Sequence, residues 1–437
     1  MFLQEREGMK MGFGSQKLAV FFIGFVAIIG FTNFSQGVII DSDNGTGNAS
    51  PPTSPSTFPY WDSIGTAGGG SCVYLGSGYC LSAYHIKVLD FDTGHYSKTV
   101  NLGGVDYDID DNTTWQRFKL GSNDADLMLF HLTTIPTPIV PVSNIITTMQ
   151  KNNTKVWMMG YGYNRAAAKS YWDDNWTLTD PNNYTYSGYY WGAGHTKRWG
   201  TNVIDLKDHL VDDGYGITQT YGATFNSGVG DNESVVAIGD SGGPVFINPS
   251  STWWLAGINI TRGGYPGQPW NTSVYGKSSY FADMSAYPIT AVGGTVTLQD
   301  FMGDVSSQKV TIEIRTPGLT TPLQTHLITL QSTGGYSLIT CLPAPGPYDL
   351  AVKGSHWLRQ KANVSIPIST ADFTLINGDC NGDNSVTSDD LSFILSAMDS
   401  VSDGPGWDST ADMDGDLEIT STDLSIALLN MDIAGNP

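Results

Sequence analysis

The residues of this 437-residue chain whose types and spacing could do chemistry fall in two places. The first is Gly239-Asp240-Ser241-Gly242-Gly243-Pro244. A serine hydroxyl is a poor nucleophile unless a histidine base and donors for the developing oxyanion stand beside it. Glycines on both sides of Ser241 permit the tight turn that exposes such a hydroxyl. They also leave the backbone N–H groups of Gly239 and Ser241 able to converge on one oxyanion. The plain alternative is a Gly/Pro-rich surface turn, which needs no histidine. His85, His95, His131, His195 and His209 precede Ser241, and His326 and His356 follow it. His85 ends the run Tyr79-Cys80-Leu81-Ser82-Ala83-Tyr84-His85, an apolar strand able to hold an imidazole at the end of a rigid element. None of the other histidines upstream of Ser241 follows a comparable strand. A second apolar strand, Leu127-Met128-Leu129-Phe130, is preceded by two carboxylates, Asp124 and Asp126.

The second place is the tail. Asp379-Cys380-Asn381-Gly382-Asp383 through Asp390 recurs 33 residues later as Asp412-Met413-Asp414-Gly415-Asp416 through Asp423. Side-chain oxygens at loop positions 1, 3, 5 and 12, with a backbone carbonyl at position 7, suit a calcium ion. The ligands expected are Asp379, Asn381, Asp383, Ser385 and Asp390 in one loop, and Asp412, Asp414, Asp416, Glu418 and Asp423 in the other. Each loop runs into an apolar helical segment. Position 6, where glycine usually makes the turn, is Asn384 in one loop and Leu417 in the other. Leucine tolerates a left-handed backbone poorly, so the second site is expected to be the weaker. A disordered acidic tail would carry neither helix nor repeat.

The elements that must position these groups are modular. The chain has a net charge of −21, which argues against nucleic acid as a partner. From 377 to 437 there are thirteen acidic residues and no Lys or Arg. At the N-terminus Arg6, Lys10 and Lys17 precede an apolar run from Leu18 to Phe31 and then Ser35-Gln36-Gly37. That run is short for a bilayer span and reads as a secretory signal peptide over 1–37, with an uncleaved anchor as the alternative. Translation starting at Met9 or Met11 would shorten it. Export permits disulfides, yet there are four cysteines, of which Cys72 and Cys80 flank a turn and could pair. Residues 41–59 read as an irregular arm, with ordered sequence from about Tyr60. From there to about Pro288, short β-branched and aromatic runs alternate with Gly/Asn/Asp turns, which predicts an all-β region. Residues 157–199 hold twelve Trp or Tyr and read as a long surface insertion packed by aromatics. From 291 to 375 two runs of period two, Val310 to Arg315 and Tyr348 to Lys353, predict half-buried strands.

The order His85, Asp126, Ser241, together with the hexapeptide at the serine, resembles the chymotrypsin-like (trypsin family) serine proteases. The α/β-hydrolases, an esterase alternative, place their histidine after the serine. Segments 138–142, 157–162, 245–246 and 254–258 also look like strands of that family. The resemblance implies a double β-barrel over 38–290. In it His85 is the base, Asp126 orients it, and Gly239 and Ser241 form the oxyanion hole. It further implies that a freed N-terminal amine pairs with Asp240; cleavage after Gly37 would supply it from Val38. Departures are Ile86 and Tyr84 beside the histidine, the lack of cysteines around Ser241, and no acid in Val235-Val236-Ala237-Ile238. The last makes an apolar or small side chain the expected preference before the scissile bond. Residues 291–375 look like a carboxypeptidase-regulatory or Cna-B-like β-sandwich spacer, with carbohydrate binding as the lesser alternative. Residues 376–437 resemble a dockerin, a small helical domain with two EF-hand-like calcium loops. That implies a cohesin-like partner met through Ser388-Asp389 and Ser421-Thr422. The expected whole is a secreted serine endopeptidase acting on protein or peptide and tethered by its tail. A catalytically inactive protease-fold adaptor is the alternative.

Overall fold

The computed structural model describes residues 37–42, 45–88, 98–110, 115–342, 346–366 and 370–437. The signal-peptide run and His95 lie outside them. Among the described residues no helix is long and apolar enough to cross a membrane.

The chain is mainly β. A first seven-stranded antiparallel sheet has the order Val105–Asp108, Thr99–Leu102, Ile64–Ala67, Gly70–Gly76, Tyr79–Ser82, Asn123–His131, Gln116–Leu120. A second has the order Arg198–Val203, Lys155–Gly160, Pro244–Ile247, Trp254–Arg262, Ser278–Asp283, Ile217–Thr224, Leu206–Asp212. Neither sheet closes into a barrel. Ala125 to Phe130 is buried without a break, as the continuous apolar run Leu127 to Phe130 requires of a strand covered on both faces. Its neighbour Tyr79–Ser82 is likewise wholly buried and pairs with it from Tyr79↔His131 to Ser82↔Met128. Two strand ends are thereby locked side by side, and His85 and Asp126 sit at those ends.

The aromatic insertion is a sheet of its own rather than a loop. Tyr186–His195 pairs with Tyr163–Arg165, with Ser170–Trp172 and with Thr272–Val274. Aromatic residues fit a pleated, half-buried surface, so the composition that suggests local packing also suits strands. Trp172 is fully buried, and the Trp176 and Tyr186 rings stack at 4.3 Å. Order also begins earlier than Tyr60. Val38, Ile39 and Ile40 are buried, and Ile39–Ile40 pairs antiparallel with Ser234–Val235. The arm that follows returns to the surface but is pinned by Phe58, whose ring packs edge-on to Phe246 and Trp253.

Residues 289–375 form two further sheets. One contains Gly335–Cys341, Ile289–Leu298 and Phe373–Leu375; the other contains Pro322–Thr329, Lys309–Arg315, Gly346–Lys353 and Gln360–Ile366. Val310, Ile312 and Ile314 are buried while Thr311 and Glu313 are half-buried, the alternation expected of a strand with one covered face. These sheets share one continuous apolar core with the two larger ones. Gln116 crosses the seam, accepting from Cys341 N–H at 3.0 Å and donating to Ile339 O at 3.3 Å.

The tail has its own small core around Val386, Ile394, Met413, Ile419 and Ala427. Its helices Ser388–Ala397 and Ser421–Leu429 each begin with a capping box, Thr387 with Asp390 and Thr420 with Asp423. The tail is sewn to the preceding sheets. Leu358 N–H donates to Ile376 O (2.7 Å), Arg359 N–H to Asn384 Oδ1 (2.7 Å), Lys361 N–H to Asn436 Oδ1 (2.8 Å) and Met302 N–H to Asp414 O (2.7 Å). All four cysteines are buried free thiols, so the pairing considered for Cys72 and Cys80 is not made. Burial, then its contact with Cys72, pushes the Cys80 thiol well up and keeps it protonated.

Candidate functional site

His85 begins a one-turn helix, His85–Val88, directly after its strand. The Asp126 carboxylate holds it twice, accepting from the backbone N–H of His85 at 2.7 Å and meeting Nδ1 at 2.6 Å. Asp126 is fully buried, while the His85 side chain keeps a small exposed edge. A carboxylate on Nδ1 fixes the proton there and leaves Nε2 as the basic nitrogen. Thr218 Oγ1 accepts from Asp126 N–H at 2.9 Å and holds the strand end in register. The other acid considered, Asp124, points outward to Lys119 at 2.5 Å and Arg117 at 3.4 Å. Of the remaining histidines, His131 meets Ser77 O and Asp110, and His195 meets Tyr161 O. His326, in the strand Pro322–Thr329, and His356, in the turn after Gly346–Lys353, are both buried.

Ser241 lies on the turn before Pro244–Ile247 and lines the same cavity of about 220 Å³ as His85. Gly239 carries a φ of +95°, and a Cβ there would come 2.9 Å from Tyr161 O, so the residue before Asp240 has to be glycine. The Ser241 hydroxyl donates to Ile260 O at 3.4 Å, a long contact that leaves it unshared with His85. Among the described residues, neither Gly239 N–H nor Ser241 N–H has a protein acceptor. Both are available as donors to a ligand. The cavity wall is apolar along Val236, Ala237 and Ile238, and Ile260 to Arg262 face them.

Two groups at this site were not singled out in the sequence. One is Asp213, from the hairpin joining Leu206–Asp212 to Ile217–Thr224. Its carboxylate, that of Asp126 and a ring nitrogen of His85 lie within 4.8 Å of one another. Gly216 allows this approach, since a Cβ there would meet Asp124 O at 2.5 Å. Arg117 clamps the hairpin to the strand, donating to Ala125 O at 3.1 Å and also to Tyr215 O. Burial, then the Asp126 carboxylate, pushes Asp213 up to about 6. A carboxyl raised in the folded state contributes stability below its ordinary value near 3.8, and that contribution is lost as pH rises through about 6. Asp213→Asn is therefore expected to narrow the drop in Tm between pH 4 and pH 7, measured by calorimetry. An unchanged drop would separate Asp213 from it. The other group is Arg262.

Asp240, beside Ser241, is fully buried and accepts from Gly162 N–H, Ala237 N–H and the backbone N–H of Val38. Burial dominates those three donors and pushes the carboxyl up to about 7.

In the tail, carboxylate oxygens of Asp412, Asp414 and Asp423 lie within 4.8 Å of one another and all three residues are buried. Burial, then Asp423, pushes Asp414 up to about 6, and Asp412 is raised by burial first. Buried like charges this close fit a hard cation between them. In the first loop Asp379 Oδ1 is buried with no hydrogen-bond partner, while Oδ2 meets Lys353 Nζ at 2.6 Å. Asn384 and Leu417 both adopt φ +71°, so the position-6 turn forms in each loop despite the leucine. The tail helices are the only ones longer than four residues among the described residues. Chelation of calcium is therefore expected to remove most of the chain's helical circular dichroism, and an unchanged spectrum would contradict the calcium assignment.

Comparison with known proteins adds a class for the tail. Residues 377–428 match the dockerin type I domain and form one. Dockerins of this type typically bind calcium, in keeping with the loops just described. No curated protein matches the chain. Among solved structures, an interface mutant of a type II cohesin–X–dockerin complex from Acetivibrio cellulolyticus is 20% identical, covering 33% of this chain and 97% of that one, with a TM-score of 0.28. The inactive form of the Rv3671c protease is 12% identical, covering 51% of this chain and 84% of that one, also with a TM-score of 0.28.

Proposed function

We propose that residues 38–290 are a chymotrypsin-like serine endopeptidase, 291–375 a spacer, and 376–437 the dockerin that tethers them to a cohesin-like partner outside the cell. The observation that carries the catalytic reading is the double contact of Asp126 with His85, in the cavity that also holds Ser241. His85 Nε2 takes the Ser241 proton as Oγ attacks the scissile carbonyl, Asp126 stabilises the imidazolium, and the oxyanion lies against Gly239 and Ser241 N–H. His85 then gives the proton to the leaving amine, and water repeats the sequence to release the acid. The two open seven-stranded sheets stand for the two barrels of the family. Calcium would be held by the carboxylates of the tail loops and supplies folding energy rather than catalysis. Export rests on the N-terminal apolar run.

One observation favours a second reading, an inactive adaptor of the same fold: the Ser241 hydroxyl turns to Ile260 O instead of His85. Catalytic hydrogen bonds are often long or misaligned without substrate, so this contact is the resting arrangement of the active enzyme in the first reading. Reaction with a fluorophosphonate, which needs an activated serine, separates the two.

A further inference from the structure

The cavity beside Ser241 carries a cation that no carboxylate among the described residues neutralises. Arg262 ends the strand Trp254–Arg262 and lines that cavity together with Ser241 and His85. Its guanidinium lies over the Trp191 ring at 4.8 Å and donates one hydrogen bond, from Nη2 to Trp270 O at 2.8 Å. A guanidinium has five N–H donors, so four have no acceptor among the described residues. No carboxylate pairs with it there either. Although the chain has 42 acidic and 21 basic residues, none of the described acids reaches this guanidinium, which leaves it open to an external carboxylate. The aromatic contact and the carbonyl hold the guanidinium in place. They come from the inserted sheet and from the 263–271 segment, which precedes the strand that pairs with that sheet.

Resting on the protease reading above, we propose that this cavity takes an acidic side chain before the scissile bond, with Arg262 as the residue that selects it. The carboxylate of a substrate Glu or Asp would accept from the free N–H groups of Arg262, and its methylenes would lie along Val236, Ala237 and Ile260. An uncharged preference, expected from Val235 to Ile238 alone, overlooks the facing wall. Only one side of the cavity belongs to the segment before the serine. The other acid in the cavity, Asp213, stands against His85 and Asp126, so it repels a carboxylate from the histidine side and leaves the Arg262 side as its seat.

The test uses the processed full chain with calcium. It measures kcat/KM on peptides that differ only in the residue before the cleaved bond: Glu, Asp, Gln, Leu and Lys. Glu is expected to exceed Gln and Leu by about tenfold or more, the scale of a charged pair made in a partly desolvated site. Arg262→Gln should bring the Glu-to-Gln ratio near one, and Arg262→Glu should turn the preference to Lys. Fluorophosphonate labelling of both variants verifies that they are folded and assembled. Equal or faster cleavage after Gln or Leu, or a ratio unmoved by Arg262→Gln, overturns the proposal. So does labelling of Ser241 without cleavage of any acidic peptide, which leaves the activated serine standing. Absence of both labelling and cleavage instead removes the protease reading itself.

Discussion

Ser241→Ala and His85→Ala are each expected to abolish fluorophosphonate labelling and to lower kcat by about 10⁶, the scale on which serine–histidine pairs act as one unit. Asp126→Asn should cost about 10⁴ while leaving the fold intact, because the amide still meets Nδ1 but imposes the wrong tautomer. The separation of these magnitudes is itself informative. Asp126 also holds the His85 backbone N–H, so Asp126→Ala should lose more than Asp126→Asn through displacement of the helix start. Equal labelling of wild type and both alanine variants would mean that the probe reports a different serine. No labelling of a folded, calcium-loaded wild type would leave the adaptor.

The second large effect is expected at Asp240. In the uncleaved chain its carboxyl is buried against three neutral N–H groups, one of them from Val38, and is pushed up to about 7. The displacement from 3.8 amounts to on the order of 4 kcal/mol of stability, present at low pH and lost as pH rises through about 7. Cleavage after Gly37 turns the Val38 N–H into an ammonium at the same seat. The pair then ionises together, and the loss near neutral pH disappears until the ammonium, which the carboxylate raises above its ordinary value of roughly 8, gives up its proton. Chain beginning at Val38 should therefore be the more stable form at pH 7 and the more active one. Asp240→Asn should remove the difference between the two forms, read by Tm at pH 5 and pH 7 and by labelling rate. A mature N-terminus other than Val38, found by mass spectrometry, would sink the idea.

Much of this site is legible in the chain because its chemistry is local. The turn at Ser241 needs particular glycines in a row, and each acidic loop of the tail is a dozen consecutive residues whose repeat gives it away. His85 and Asp126 are legible for a related reason: each stands at the end of an apolar strand, and those strands are neighbours. Asp213 and Arg262 are different. Each is a charged residue at the end of an ordinary strand or hairpin, a pattern that usually means solvent, and only the pairing of the second sheet turns both toward His85 and Ser241. Order from Val38 onward is not legible in the chain because its anchors, Ser234–Val235 and Asp240, lie some two hundred residues away. The free thiols of Cys72 and Cys80 follow from strand pairing that a turn between two cysteines does not specify. Barrel closure, a property of edge strands, is equally invisible to a pattern of short runs.

On the protease reading proposed above, the stitching of the tail onto the sheets before it bears on what the catalytic cleft would reach. Asn384, Asn436 and Asp414 all hold backbone groups of residues 302–361, and Lys353 grips Asp379, so the joint has no slack. A protease on a floppy leash explores a sphere and digests whatever shares its platform, at an effective concentration set by the leash. Mounted on a stiff bracket, the cleft keeps one bearing and one standoff from its anchor. Neighbours on the same platform are spared unless they happen to stand in that line, and substrate must arrive from outside.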